Sequence, residues 1–523
     1  MARKKTWLVL LTATLSLLVA LSNAGCGKGG GAEQPKVTEL VVGMGEDANS
    51  PDFAEIGVLS PNANIYESLV RLTPEFTVAP MLAESWEYVG DNTWRFHLRK
   101  GVKFHNGDEL TSEAVKFTYD GKMRPSGKSL LHLKEVKVVD EYTIDIVTEE
   151  PNMVVPEIIT HPLYGIRCPG TDPGVSPVGT GPFRFVSYEK EKELVVEKNP
   201  DYWGEPARLE KLVFKYIPDA NTRLMALQAG EVDVIKDIPR EMIADIESDE
   251  SLYTYASQPG GPYVVFEVRT EGPVAREIMA DVRLRKAVAV AIDKSEIVEK
   301  VWSNNAVVDY TWLPEGMFGA YRDLIQGYDY DPDEAAKLLE EAGWKEGADG
   351  IREKAGKRLE ITLVSGYPTA AVLKPIPEVI QQQLKAVGID AKIVEVSDEG
   401  VYEEMLKQGE GDLWLTRGTQ NNADPTFGPQ LLHHSKGYYG EFCGNPWWGG
   451  EEFDALVDKA RATEDPDERA ELVAEAMHIL IDEHAALIPI ASLFNVYAAR
   501  LPLEGLVPHP SDVSTRWENT KAK

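Results

Sequence analysis

The stretch NTRLMALQAGEVDVI, residues 221–235, decides the fold class of this chain. Its first half is helical in pattern, because Leu224 and Leu227 fall on one face and Gly230 stands where a helix would end. Residues 232–235 then have the pattern of a short strand. A helix that leads directly into a strand is typical of an α/β layer. We therefore expect an α/β protein in which helices cover sheets.

The flanking sequence continues this mixture of elements without strict alternation. Asp331-Pro332 and Asp465-Pro466 each predict a helix start, with the aspartate as cap and the proline in the first turn. The other predicted elements are a helix at 65–70, strands at 263–268, 359–364 and 391–396, and one final strand at 486–497.

Length and composition bound the architecture and the partners. With 523 residues and 43% hydrophobic content, the chain has material for more than one core, so we expect two or more lobes. The net charge of −31 disfavours nucleic acid as a partner, because phosphate binding requires a basic surface. Beyond residue 26 the cysteines are Cys168 and Cys443, which form no CxxC pair and are expected to be free buried thiols.

The N-terminus predicts export. Three basic residues at 3–5 precede an apolar run at 7–21, and small residues then lead to Cys26, so residues 1–25 have the order of a secretion signal. Cys26 resembles the lipidated cysteine of bacterial lipoproteins, although Asn23 replaces the usual leucine and leaves cleavage without lipidation open. Residues 26–36 are glycine-rich and predict a flexible tether.

Sequence signatures of catalysis are absent. There is neither an HExxH nor a GxSxG motif, so no local motif supports a metalloprotease or a serine hydrolase. The acidic residues around Asp331 approach a calcium loop, but Glu334 stands where that loop needs glycine, and a helix cap explains them more simply. For the adjacent pair His433 and His434 we expect an ordinary loop role, with metal ligation as the alternative. We expect no catalytic residue and no cofactor.

Several separated stretches resemble a known family. They are TWRFHLRKGVKFHN (93–106), PVGTGPF (177–183), NPDYWG (199–204), IPDANTRLMALQAGEVD (217–233) and DVRLRKAVAVAID (281–293). By these stretches, their order and their spacing, the chain resembles the peptide- and nickel-type extracellular solute-binding proteins of ABC importers, family 5. The resemblance covers nearly the whole chain after the leader.

The resemblance implies a two-lobed, periplasmic-binding-protein-like α/β fold of the type II class, with an extra subdomain and mixed sheets joined by hinge strands. Lobe 1 is expected at 37–262 and 493–523, with the extra subdomain at about 80–180, and lobe 2 at 263–492. The lobes would close over a ligand and leave it chemically intact. The implied partners are ABC permease subunits and, through the lipid anchor, the membrane surface. A monomer is expected.

The motifs themselves are expected to serve packing and turns. Trp86, Trp94 and Trp203 are predicted core aromatics, and Gly179 and Gly181 are predicted turn positions.

The resemblance places ligand contacts in WLTRGTQNNADP, residues 414–425. In peptide-binding relatives an aspartate in a comparable Asp-Pro context pairs with the α-ammonium group of the ligand, and Asp424 is the matching position. Because Asp-Pro is also a common turn pair, a turn role stays open. Arg417 has the chemistry to hold a carboxylate of a peptide or a chelator. The remaining candidates in this stretch are Trp414, Thr419, Asn421 and Asn422.

The leading hypothesis is an extracytoplasmic binding lipoprotein that captures a short peptide. A nickel chelate is the first alternative, although Thr419 and Ala423 stand where nickel-binding relatives carry aromatic residues. An oligosaccharide is another alternative, since Trp414, Trp447 and Trp448 are able to stack on sugars. A secreted hydrolase or an adhesive lipoprotein would be of another class. The first would turn its ligand over, and the second would bind no small ligand.

Overall fold

The computed structural model describes residues 37–47, 64–122, 128, 131–260, 262–268, 277–366, 373, 376–408, 410–437 and 450–523. The predicted signal peptide and tether, with Cys26, lie outside the described residues. So do Cys443, Trp447 and Trp448. Within the described ranges, no helix combines the length and the apolar character needed to cross a membrane.

The strands follow one another along the chain as β1 (Glu39–Met44), β2 (Val70–Leu72), β3 (Val78–Pro80), β4 (Ala83–Gly90), β5 (Thr93–Leu98), β6 (Leu133–Asp140), β7 (Thr143–Thr148), β8 (Phe183–Glu189), β9 (Glu193–Lys198), β10 (Lys211–Tyr216), β11 (Val234–Ile235), β12 (Tyr253–Ala256), β13 (Pro262–Val268), β14 (Val307–Val308), β15 (Lys345–Glu346), β16 (Arg352–Lys354), β17 (Lys357–Arg358), β18 (Glu360–Gly366), β19 (Asp390–Val396), β20 (Leu413–Thr419), β21 (Leu487–Ser492), β22 (Val496–Ala499), β23 (Leu503–Glu504) and β24 (Lys521–Ala522).

The α-helices are α1 (Ser112–Lys116), α2 (Val155–Ile158), α3 (Ala220–Ala229), α4 (Arg240–Ser248), α5 (Glu277–Ala280), α6 (Val282–Val290), α7 (Lys294–Glu296), α8 (Glu315–Phe318), α9 (Pro332–Glu341), α10 (Ile376–Ala386), α11 (Glu399–Gln408), α12 (Glu451–Ala462) and α13 (Pro466–His478). Shorter turns of π-helix cover Phe117–Lys122, Ile297–Val301, Pro429–His433 and Ile479–Glu483, and 3₁₀ turns cover Pro162–Tyr164, Gly319–Leu324 and Asp512–Ser514.

Two large mixed sheets form the centres of two lobes, which confirms the expected fold class. In lobe 1 the strand order is β12-β22-β11-β1-β10-β9-β8, and in lobe 2 it is β14-β21-β13-β20-β18-β19. A third sheet, β4-β5-β7-β6, belongs to a subdomain inserted between β1 and β8 of lobe 1. The core of this inserted subdomain runs from Leu69 to Cys168, and Trp86, Trp94 and Trp203 pack against it as partly buried residues.

The helix starts and the helix-to-strand unit follow the sequence predictions. Asp331 Oδ1 accepts the Glu334 N–H at 2.9 Å at the start of α9, and Asp465 caps α13 in the same way. Gly230 ends α3 in the left-handed conformation, with φ 76°, before β11 begins.

The chain crosses between the lobes twice. It leaves the lobe 1 sheet after Ala256 and enters the lobe 2 sheet at Pro262, and it returns between Ser492 and Val496. The prediction of one strand at 486–497 was therefore wrong in one respect. This apolar run is divided, because β21 pairs with β13 in lobe 2 whereas β22 pairs with β11 and β12 in lobe 1.

The predicted helix at 65–70 does not form. Its carbonyl groups bond to distant segments instead: Glu67 O accepts the Ile166 N–H, Ser68 O the Leu82 N–H and Leu69 O the Ala83 N–H. Ile65 O, which a helix would pair with the Leu69 N–H, accepts the Gly181 N–H at 2.9 Å instead, so tertiary pairing overrides the local pattern.

Gly179 and Gly181 are required by a close approach of two chain segments, which corrects their prediction as turn positions. Neither has φ in the left-handed region. A Cβ on Gly179 would lie 2.1 Å from Ile65 O, and one on Gly181 would lie 2.5 Å from Asn64 O. Gly181 N donates to Ile65 O at 2.9 Å, so the two backbones touch directly.

We expect Gly181→Ala to destabilise the protein by about 1–3 kcal/mol, because the new methyl group would meet rigid backbone. Equilibrium urea denaturation measures the change. The control is Gly121→Ala, since a Cβ at Gly121 meets nothing within 4 Å. Equal stabilities of the two variants would contradict the argument from close approach.

Candidate functional site

The predicted ligand segment lies where lobe 2 meets lobe 1 and its inserted subdomain. β20 runs between β13 and β18 in the lobe 2 sheet, and the chain then leaves the sheet toward the other lobe. Asn421 Oδ1 accepts from Ser511 Oγ of lobe 1 at 3.2 Å. Ala423 N donates to Thr160 Oγ1 of the inserted subdomain at 3.1 Å. A solute held between the lobes would therefore lie near this segment.

Arg417 stands near the end of β20, opposite Val264 of β13. The side chain is half-buried, and its Nε is buried without a hydrogen-bond partner among the residues that the structure describes. A buried guanidinium N–H without an acceptor costs free energy, which an incoming carboxylate would recover. Thr419, two residues further, is also half-buried.

The residues that follow form a tight turn. Asn422 is 1% exposed, and its Oδ1 accepts both the Asp424 N–H and the Gln420 amide at 3.1 Å. Asp424 is 2% exposed, and its Oδ1 accepts the N–H and the hydroxyl of Thr426, each at 2.7 Å. Asp424 therefore already acts as a turn-former.

The Asp424 carboxylate is also surrounded by protein charges. Burial raises its pKa above the ordinary carboxyl value, while the nearby guanidinium of Arg461, the hydrogen bonds of Thr426 and the guanidinium of Arg469 act in the opposite direction. Two cations of the protein thus already compensate this carboxylate.

Trp414 is a core residue, which corrects the prediction that it contacts the ligand. It is 0% exposed and belongs to the cluster that includes Val364, Leu406 and Tyr402. The Tyr402 and Trp414 rings meet edge to face at 5.1 Å between centroids.

His433 and His434 are buried, and their described contacts are packing and local hydrogen bonding. Both are 1% exposed, and His433 meets the rings of Trp312 and Phe453 edge to face. His434 Nδ1 accepts the Lys436 N–H at 3.0 Å, and its Nε2 lies 3.2 Å from a carboxylate oxygen of Asp458. Across the described part of the chain, no group of three or more His, Cys, Asp and Glu side chains is placed to hold a metal ion.

Two cavities flank the lobe contact. One, of about 330 Å³, lies in lobe 1 and the adjoining chain, and Glu67, Arg71 and Arg516 are in its wall. The other, of about 600 Å³, lies beside the crossing, between Phe76 and residues 307–322. Arg417 lines neither cavity. In the wall of the larger cavity, Asp309 pairs with Ser492 and Arg322.

The sequence and the structure match one family. A profile of the Bacterial extracellular solute-binding proteins, family 5 Middle, matches residues 77–440. The chain belongs to this family. Its fold agrees, since NikA from Brucella suis in complex with Fe(III)-EDTA superposes with a TM-score of 0.82 at 25% identity, over 93% of this chain and 100% of that one.

Curated relatives of this family 5 protein include carriers of two kinds of solute. The dipeptide-binding protein of Escherichia coli is 29% identical over 492 residues, which are 85% of this chain and 87% of the relative. The nickel-binding periplasmic protein of the same organism is 28% identical over 360 residues, 65% of this chain and 67% of the relative. Family 5 members are extracytoplasmic solute-binding proteins of transport systems, not enzymes.

The family 5 stretches converge on a residue that the sequence did not single out. Glu67 has a fully buried side chain and accepts from Thr180 of PVGTGPF and from Tyr202 and Trp203 of NPDYWG, at 2.7–2.9 Å. Arg516 Nη2 also donates to Glu67 Oε1, at 3.1 Å. The stretches therefore stabilise lobe 1 around one carboxylate. The motifs were a signal that these partners would meet, but nothing local marked Glu67 as their acceptor.

Proposed function

We propose that this protein captures a short peptide between its two lobes and delivers it intact to an ABC permease. The observation that carries the proposal is the buried, unbonded Nε of Arg417 at the end of β20, where a peptide carboxylate would complete its hydrogen bonding. Thr419 and Asn421 would contact the same ligand. Membership of family 5 supports a binding role, and the dipeptide-binding relatives support this class of ligand.

The predicted export signal supports an extracytoplasmic location, and we propose a lipid on Cys26 as the anchor. We propose that the anchored protein acts as a monomer beside the permease. Mass spectrometry of the processed N-terminus tests the lipid, and a mature protein cleaved at another residue or lacking the acyl mass would contradict it.

Calorimetry on protein unfolded and refolded to remove any carried ligand tests peptide capture. The probes are Ala-Ala, a series of di- and tripeptides, nickel–histidine and maltose. We expect saturable heat from peptides and recovery of the peptides unchanged by mass spectrometry. Tight binding of nickel–histidine without any peptide heat would favour the nickel alternative. Cleavage of a peptide would contradict a binding role.

For Asp424 we propose a positioning role in the turn instead of the predicted pairing with the ligand α-ammonium group. Its Oδ1 is held by Thr426, and Arg461 and Arg469 already balance its charge. A further ammonium group would have to approach those two cations. The fixed turn would hold Asn421 beside the ligand.

We expect Asp424→Asn to change the affinities for Ala-Ala and for N-acetyl-Ala-Ala by the same factor, because asparagine retains the acceptor for Thr426. Calorimetry on the variant and the parent gives the two ratios. A loss confined to the peptide with a free amino group would show that Asp424 binds the ammonium group after all.

A further inference from the structure

Among the segments of the inserted subdomain that contact lobe 2, residues 153–160, on and around α2, make direct hydrogen bonds to it. Met153 N donates to Arg461 O of α12 at 2.8 Å. Glu157 O accepts the Ala423 N–H at 3.3 Å, and Thr160 Oγ1 accepts the same N–H at 3.1 Å. These bonds join parts of the chain that are far apart in sequence, and they depend on the lobes being in contact.

The strongest of these contacts is an ion pair between Glu157 and Arg469 of α13. Arg469 Nη1 donates to Glu157 Oε1 at 2.8 Å, and Arg469 is 4% exposed. Two further donations, to Thr463 O and Glu464 O at 3.2 Å, hold the same guanidinium on lobe 2. When the lobes part, Arg469 would therefore stay in place and only the bond to Glu157 would break.

The charged groups around this ion pair come from both sides of the lobe contact. Asp424 of lobe 2 interacts with both Glu157 and Arg469. Arg461 in turn interacts with Asp424, with Asp458 of lobe 2 and with Glu150 of the inserted subdomain. Burial raises the pKa of Glu157, Arg469 lowers it, and the like charge of Asp424 raises it further. In an open molecule Glu157 would return to water, and Arg469 would lose this carboxylate.

We propose that the inserted subdomain is a latch, in which residues 153–160 hold lobe 2 closed through Ala423, Arg461 and Arg469. A contact made only in the closed form stabilises that form whether or not a solute is present. The latch thereby keeps part of the ligand-free population closed. The solute then needs a smaller difference in affinity between the closed and open forms to close the remaining molecules. This inference does not depend on which solute binds.

Distance measurements on ligand-free protein test the latch. Spin labels would be placed at Val186 of lobe 1 and Val401 of lobe 2, which are 47% and 52% exposed, after replacement of the native cysteines by alanine. We expect the parent to show two distance components, one of them matching this structure. Glu157→Ala should lower the ratio of closed to open molecules about tenfold or more, the effect of losing one hydrogen bond between charged groups.

The matched control is Asp145→Asn, which breaks the two-bond pair of Arg95 and Asp145 inside the inserted subdomain. This variant should leave the distance distribution unchanged, and Glu157→Gln should shift it in the same direction as Glu157→Ala. Circular dichroism establishes that each variant is folded. The latch is refuted if the parent shows no closed component without ligand, if Glu157→Ala and Glu157→Gln match the parent, or if Asp145→Asn shifts the distribution equally.

Discussion

Arg417→Met is expected to weaken peptide binding by about 100-fold, the largest effect on function that we anticipate from one substitution. Truncating one partner of a buried, hydrogen-bonded charge pair costs about 2–5 kcal/mol, most of it because the other charge is left buried without a partner. In this protein the abandoned group would be the peptide carboxylate. Calorimetry with Ala-Ala on the refolded variant measures the loss.

Two companion variants separate this role from a structural one. Arg417→Lys keeps the charge but loses the planar fork, so we expect an intermediate loss of about tenfold. Arg283→Met removes an exposed arginine on α6 that pairs with Asp281, the residue that caps this helix. This variant should leave the affinity for Ala-Ala unchanged. If Arg417→Met binds Ala-Ala as tightly as the parent, the candidate site is placed wrongly. An amidated peptide should bind the parent and Arg417→Met with similar affinity.

Glu67→Ala is expected to lower the free energy of unfolding by about 3–5 kcal/mol, the largest effect on stability. The alanine would remove one acceptor from Thr180, Tyr202, Trp203 and Arg516 together. Arg516 keeps its bond to Glu518 at 2.8 Å, but the other buried donors would have no acceptor in this place. Equilibrium urea denaturation followed by tryptophan fluorescence measures the change.

The control for Glu67 is Glu197→Ala, which removes an ion pair with Arg184 whose two side chains are each 43% exposed. Exposed pairs contribute at most about 1 kcal/mol, so this variant should resemble the parent. If the two substitutions lowered the free energy of unfolding equally, burial would not determine how much each carboxylate contributes to stability. Glu67→Gln should fall between them, because its amide offers one acceptor oxygen where four donors converge.

Elements that depend on nearby residues were predictable from the sequence. Asp331 and Asp465 cap their helices, since a cap bonds to N–H groups within three residues. Gly230 ends α3 for an equally local reason. Residues 65–70 were predicted wrongly because their carbonyl partners, at 82, 83 and 166, come from other parts of the chain.

The candidate site was predictable as a segment but not residue by residue. The family stretches located residues 414–425, and the structure brings that segment to the lobe contact. Within it, local pattern alone did not separate Trp414, which is in the core, from Arg417, whose Nε has no hydrogen-bond partner among the described residues. Alternation along a strand shows that the two residues face opposite sides, but not which side is covered.

By itself the sequence determined the α/β class, the family, the helix starts and the apolar runs that fill the cores, because each of these depends on local pattern. Only the tertiary structure decided the roles of the buried carboxylates Glu67, Glu157 and Asp424. Asp424 is balanced by Arg461 and Arg469, and Glu157 meets Arg469 across a separation of 312 residues. Burial and countercharge set the energy of an ionised group, and both are supplied by distant chain that folding brings into contact.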